Sequence, residues 1–271
     1  MSPSKPKTDG SVTKLKYDES HWAREQDAAK ALEQYLAIGE RPFNKTKQSL
    51  LLSLAGDVAG KRVLDYGGGA GYMAIPLALA GADVTIVDAE ANGLRTATLY
   101  AERAGVAQRV HTIHSERVPD ELKTGRFDIV VAKDIVEHIL DDQAFLCDLR
   151  DCHAAGGTLV LSTQNSFSLN YLIEGSYNKY REGNKNWMGW DQTHLRFYTA
   201  ASLRDKLARA GYRPSRWASV YIVPYNIVKW LTLLKVDVEI PALRYLDLTL
   251  GRVFPLNRTG WNVIVQAVRE R

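Results

Sequence analysis

Asp65-Tyr66-Gly67-Gly68-Gly69-Ala70-Gly71 is the stretch that decides how this chain is read. An apolar run leads into it from Arg62 to Leu64, and a second apolar run closes on Asp88. A strand that feeds a glycine turn and then a helix aims backbone N–H groups and the positive helix end at a ligand. The glycine spacing then separates two kinds of nucleotide site. A dinucleotide fingerprint needs G-x-G-x-x-G, and counted from Gly67 its third glycine falls on Tyr72. The chain instead alternates Gly67, Gly69 and Gly71, with a carboxylate two residues ahead of the first. Asp65 there would repel a pyrophosphate and suits a cationic ligand. Asp88 follows Gly67 at the distance of a carboxylate that accepts both ribose hydroxyls.

Outward from this turn, the chain alternates strand and helix. Strand candidates are 61–66, 83–88, 109–114, 127–133, 157–163, 216–223 and 259–268, with helices at 71–80, 92–104, 141–154 and 199–210. Phe127–Ala132 is almost continuously apolar, as expected where helices cover both faces of a parallel sheet. The expected fold is α/β, a Rossmann-like, doubly wound, seven-stranded and mostly parallel sheet. N-terminal helices and inserts near the C-terminal half would form a lid. The expected division is a disordered leader at 1–16, a helical cap at 17–55 and a main domain at 56–271, with substrate-side inserts at 166–198 and 224–258.

Bulk properties narrow the partners. The 271 residues carry 35 basic and 31 acidic side chains, a net charge of +4. The basic residues are scattered, so no nucleic-acid partner is expected. Cys147 and Cys152 form no C-x-x-C pair and read as residues of a reducing, cytoplasmic compartment. The start, MSPSKPKTDGS, has no apolar signal core. The apolar stretch Val220–Val238 is interrupted by Pro224, Asn226, Lys229 and Lys235, so no transmembrane segment is expected. Its part from Tyr225 to Lys235 leaves three roles open: peripheral membrane contact, the wall of an oily pocket, or burial in a core or a dimer partner. The expected assembly is a monomer or homodimer acting on a small-molecule substrate.

Val63–Gly71, together with Ile86–Asp88, Phe127–Asp134, Glu137–Ile139, Gly156–Asn165 and Ser202–Gly211, resembles the class I S-adenosylmethionine-dependent methyltransferases over about residues 45–215. That resemblance implies S-adenosyl-L-methionine as cofactor and S-adenosyl-L-homocysteine as product. It places Asp65 and Gly67 at the methionine part, Asp88 at the ribose and Glu116 near the adenine amine. Ser115 or Glu116 stands where many members carry Asp. Gly69, Ala89, Lys133 and, from the N-terminal helix, Tyr17 complete the expected cofactor set, with Trp22 beside Tyr17. Glu137–His138, Ser162–Asn165 and His194 before Phe197 are more narrowly similar to small-molecule O-methyltransferases of the ubiquinone-synthesis and natural-product kind. In that group the Glu137–His138 pair lies at the substrate side and can sit by a divalent metal. Asp134, Glu137 and His138 would meet on one helical turn. Helix capping explains the same cluster equally well, so no metal site is assigned.

Methyl transfer from a sulfonium needs mainly alignment, which is worth roughly 7–11 kcal/mol. A hydroxyl acceptor also needs its proton removed, a ~10²–10⁴-fold effect. His138, beside Glu137, and His194, with Asp191 as partner, are the candidate catalytic residues. His21, His111, His114 and His153 read as structural or surface residues. Tyr171, Tyr177, Tyr180, Trp187 and Trp190 have a non-helical spacing and read as a lid or wall for a flat or sugar-like substrate. The expected function is methyl transfer to a hydroxyl or amine of a sugar, antibiotic or other secondary-metabolite intermediate. Alternatives are O-methylation of a prenylated phenol at a membrane surface and a non-catalytic scaffold of the same fold.

Overall fold

The structure, a computed structural model, describes residues 21–270 apart from 186, 188, 190, 192 and 228–237. The expected leader at 1–16, Tyr17, Trp190 and most of the apolar stretch after Tyr225 lie outside the described residues.

Two helices, α1 (Ala28–Gly39) and α2 (Pro42–Ala55), precede the first strand. Five parallel strands follow: β1 (Arg62–Tyr66), β2 (Asp83–Asp88), β3 (Val110–His114), β4 (Phe127–Lys133) and β5 (His153–Gln164). Between them run α3 (Ala74–Leu79), α4 (Ala91–Arg103) and α5 (Asp142–Cys152). Then come α6 (Ala200–Arg209), β6 (Tyr212–Val220), a two-stranded hairpin of β7 (Asn226–Ile227) and β8 (Val238–Glu239), α7 (Arg244–Leu250) and β9 (Asn262–Arg269). The sheet order is β3-β2-β1-β4-β5-β9-β6, and β9 runs antiparallel to both of its neighbours. This is the expected seven-stranded, mostly parallel sheet.

Side-chain alternation divides the core between the two faces. Val63, Ile129, Val131 and Val160 join one buried layer, and Leu64, Val130, Ala132 and Leu161 join the other. Helix α2 buries Leu50, Leu51 and Leu54 in the first layer. Strand order reverses between β1 and β4, and ligands bind outside the carboxyl ends of strands at such a switch point. Asp65 and the glycine turn stand there.

Several boundaries differ from the expectation. Helix α3 starts at Ala74 rather than 71, because Gly71 adopts φ +90° and delays regular winding. Helix α5 ends at Cys152, and β5 starts at His153 rather than 157. His153 holds that junction, its Nδ1 lying 2.9 Å from the Leu149 carbonyl and 3.0 Å from the Tyr212 hydroxyl. Strand β6 begins at Tyr212, directly after the Gly211 turn, and tolerates Pro214 at a break in its register with β9. The aromatic insert is not irregular as its spacing suggested, since Tyr171–Gly175 and Tyr177–Arg181 wind as wide, π-type turns. Among the described residues no helix is long and apolar enough to cross a membrane.

Candidate active site

Strand β1 delivers Asp65 to the carboxyl edge, and the chain leaves through Gly67 (φ +71°) and Gly69 (φ +52°). The Gly69 N–H donates to Asp88 Oδ2 at 2.8 Å, and the Glu90 N–H donates to Oδ1 at 2.8 Å. Asp88 thus pins the turn to the end of β2. Around the turn opens a cavity of about 470 Å³, within the range of small-molecule sites.

Asp65, Gly67, Gly69, Asp88, Ala89, Glu116 and Lys133 all line this cavity. Ser115 does not, because its hydroxyl donates to the Arg117 carbonyl at 2.7 Å. Trp22 lines it too, edge-on to Tyr35 with centroids 4.9 Å apart. Tyr35, Tyr72, His114 and Ile135 are lining residues that the sequence did not announce. His114 is exposed, in keeping with its surface reading, and it also borders the cavity. It pairs in register with Asp88 across β2 and β3, and its Nε2 lies 2.9 Å from the Ala89 carbonyl. A rule that collects polar residues at strand ends would have found it. Tyr35 carries no such signal beyond its helical spacing from Leu32.

The cavity's electrostatics suit a cation. Burial raises the Asp65 carboxyl to about 7 even with the Lys133 ammonium opposing the rise. Asp65 Oδ2 is buried with no hydrogen-bond partner among the described residues. Burial also raises Asp88, although backbone N–H donors temper it. Lys133 is drawn aside toward Asp134 at 3.2 Å and lies over the Tyr72 ring at 4.8 Å. A sulfonium or ammonium ligand would supply the charge that Asp65 lacks. Such a ligand needs Asp65 ionised, so cofactor affinity is expected to rise with pH and level off above about 7. Below that, each pH unit costs ~1.4 kcal/mol, or about tenfold in Kd. Asp65→Asn should flatten the profile and weaken binding by about 10–100-fold, the worth of a charged hydrogen bond. Titration calorimetry across neutral pH reads both effects.

A second group of polar side chains lies beyond Ile135. Thr163 donates to Glu137 Oε2 at 2.8 Å, while Oε1 is buried without a partner among the described residues. Burial, followed by the nearby Asp134 charge, lifts the Glu137 carboxyl well above its usual range. The His138 and His194 rings stand 4.8 Å apart, and burial, then His194, lowers His138. Thr193 Oγ1 lies 3.0 Å from His138 Nδ1 and donates to Asp191 at 2.5 Å. The Leu195 N–H donates to the Glu137 carbonyl at 2.9 Å, fixing the 193–195 segment on the Val136–His138 turn. Neither histidine lines the cofactor cavity.

The cluster of Asp134, Glu137 and His138 does not form. Asp134 takes φ +53°, and its carboxylate binds Lys47, Ser162 and Asn262 instead. His194 replaces it, and ligand atoms of Glu137, His138 and His194 all lie within 4.8 Å of one another. With Glu137 Oε1 unclaimed, this carboxylate and imidazole set fits a divalent metal.

The aromatic wall is narrower than expected. Tyr171 and Trp187 join Phe197, Tyr221, Tyr225 and Trp261 in one buried cluster, in which Tyr171 and Phe197 stand 4.8 Å apart. His194 meets Phe197 edge-on at 6.0 Å. Tyr177 is half-buried and Tyr180 is 88% exposed, and none of Tyr171, Tyr177, Tyr180 and Trp187 lines the cavity at the glycine turn.

A carboxylate-flanked glycine turn at the switch point of this sheet defines a Rossmann-like enzyme that binds a cationic nucleoside cofactor. The chain belongs to the methyltransferase domain family, which it matches over residues 36–215, and its cofactor is S-adenosylmethionine. It is 32% identical over 118 residues to the ubiquinone biosynthesis O-methyltransferase of Rickettsia prowazekii (strain Madrid E), covering 43% of this chain and 45% of that protein. It is 34% identical over 158 residues to the enzyme of the same name from Cereibacter sphaeroides (strain ATCC 17025 / ATH 2.4.3), covering 57% and 61%. The chain thus spans about half the length of the curated relatives it matches. Among solved structures, the magnesium protoporphyrin IX methyltransferase of Synechocystis PCC 6803 with bound SAH superposes with a TM-score of 0.56 at 16% identity, over 90% of this chain and 96% of that one. At that identity the likeness concerns the fold.

Proposed function

We propose that the chain transfers the methyl group of S-adenosylmethionine, by in-line displacement at the sulfonium, to a hydroxyl of a small aromatic molecule. The observation that carries this reading is the buried Glu137–His138–His194 set at the far side of Ile135. An amine acceptor needs only to arrive neutral, whereas a hydroxyl must lose a proton, worth ~10²–10⁴-fold in rate. Burial, then His194, lowers His138 and favours its neutral imidazole. The Thr193 hydroxyl hydrogen is committed to Asp191, so its oxygen accepts from His138 Nδ1–H. That tautomer makes Nε2 the basic nitrogen for the acceptor's proton. Where a divalent ion binds, Glu137, His138 and His194 would hold it, and it would acidify the hydroxyl as a Lewis acid.

The names of the curated relatives support a phenol with an isoprenoid tail. The buried aromatic cluster beside His194 supports the same choice. A sugar or antibiotic intermediate has less support, because Tyr177 and Tyr180 stand outside the buried aromatic cluster. Two free cysteines, Cys147 and Cys152, fit a reducing cytoplasm.

Incubation with methyl-labelled S-adenosylmethionine and either a polyprenylated catechol or a primary amine tests the reading. Label is expected on the catechol oxygen. His138→Ala is expected to cut kcat by about 100-fold or more while leaving the cofactor Kd unchanged. Full turnover in both His138→Ala and His194→Ala would remove the hydroxyl-base assignment, and label on the amine alone would reverse the choice of acceptor.

A further inference from the structure

The segment from Ile240 to Arg258 is anchored through one buried carboxylate. Asp247 accepts the N–H groups of Tyr221 at 2.7 Å and Ile222 at 3.0 Å. Leu248 packs against the layer under the sheet, and Leu243 packs against the aromatic cluster. This anchoring determines what faces outward. Tyr245 and Thr249, two residues to either side of Asp247, point away from it on α7, and Tyr245 is 57% exposed. The exposed run continues through Leu250 and Val253 to Phe254, which is 69% exposed. A single exposed apolar side chain is ordinary. Four large ones within ten residues, between 245 and 254, on a backbone tied to the core, are a concentration that marks an interaction site.

Charge identifies that partner. The 240–258 segment carries Arg244, Arg252 and Arg258, and its sole acid is the buried Asp247. The Arg244 guanidinium lies over the Tyr245 ring at 5.1 Å, and that of Arg258 lies over Phe254 at 5.2 Å. Each exposed aromatic ring therefore has a cation beside it. A surface that is anionic at its face and apolar just beneath matches both groups at once. A bilayer with anionic headgroups has that layering.

The placement is also suitable. Val220 and Asn262 pair in register where β6 ends and β9 begins, so the segment between them leaves the sheet at one edge. That is the carboxyl edge of the parallel strands, where Asp65 and the cofactor cavity lie.

We propose that the 240–258 segment docks the chain on an anionic lipid surface. Tyr245, Leu250, Val253 and Phe254 enter the boundary between headgroups and acyl chains, and Arg244 and Arg252 meet the lipid phosphates. This docking stands independently of the acceptor assignment. Flotation of the full chain with phosphatidylcholine vesicles, with and without phosphatidylglycerol, tests it. The chain is expected to float with the anionic vesicles only, and less as salt is added. The double variant Val253→Ser/Phe254→Ser should lose about tenfold or more of this association, while its Kd for S-adenosylmethionine stays that of the parent. Arg252→Glu should weaken the association in the same direction. Absence of flotation, equal flotation on neutral vesicles, or an unchanged double variant would overturn the proposal. So would a lipid-free shift from dimer to monomer in that variant, which would assign the patch to a second copy of the chain.

Discussion

Gly67→Ala is expected to abolish cofactor binding. A Cβ on Gly67 would stand 2.2 Å from Ile135 Cδ1 and 2.4 Å from Cγ1. Relief would require Ile135 to swing into the cavity that it lines, the volume proposed for the cofactor. The backbone cannot easily move instead. Gly67 holds φ +71°, which costs an alanine roughly 1–2 kcal/mol, and its N–H donates to the Val87 carbonyl at 2.7 Å. Overpacking adds about 1–3 kcal/mol. Together these terms predict a stability loss of a few kcal/mol, and the displaced Ile135 side chain, by filling the cavity, should raise Kd by about 100-fold or more. Gly60→Ala separates the causes, because Gly60 shares a positive φ of +70° but has nothing near its Cβ direction. It should lower the melting temperature and leave binding intact. Calorimetric titration and thermal melts of both variants decide the matter. Wild-type affinity in Gly67→Ala would mean that the cofactor does not lie against this turn.

The parts of the molecule that the sequence announces are those set by local pattern. Strands β1 to β4, the acid–glycine–acid arrangement and the covering helices follow from apolar periodicity and glycine placement. What was hidden depends on chain geometry that no local pattern encodes. Asp134 looked like a helical neighbour of Glu137 and His138, yet its left-handed backbone turns its carboxylate away toward β5, β9 and α2. His194, far along the chain, takes its place, because the 193–195 segment hydrogen-bonds back to Glu137. Tyr35 reaches the cavity only because α1 docks against α4, and Trp22 because the Trp22–Arg24 turn ahead of α1 packs against both helices. The aromatic insert was legible as a feature, but not in direction: Tyr171 and Trp187 turn inward and Tyr180 outward. Motifs therefore announced the lining of the cavity at the glycine turn better than the Glu137, His138 and His194 group, which is assembled from distant segments.

Lys47→Met is expected to destabilise the fold by about 3 kcal/mol, because it strands a buried charge. The Lys47 side chain is 2% exposed, and its ammonium pairs with the Asp134 carboxylate. Burial pushes Lys47 below its ordinary range, and Asp134 opposes that push. Burial would raise Asp134, but Lys47 and then Lys133 hold it well below the usual carboxylate range. A carboxyl depressed in the folded state stabilises the fold above its unfolded pKa, and that contribution is lost as pH falls through the folded value. Removing Lys47 lets the folded value rise, so the gap between parent and variant should be widest at neutral pH and narrow toward acid. Lys133, 3.2 Å from the same carboxylate, compensates in part, which places the estimate at the lower end for a broken buried pair. Asp134→Asn added to Lys47→Met should recover part of the stability, because the stranded carboxylate charge is then removed and the partly exposed Lys133 is left to solvent. Binding should weaken as well, because Asp134 holds its strained φ between Lys133 and Ile135, both of which line the cavity. Denaturant melts of the three variants at neutral and mildly acid pH, with cofactor titrations alongside, test each step. A Lys47→Met protein that melts with the parent at neutral pH would show that the Asp134 charge is met from elsewhere, with Lys133 the nearest cation.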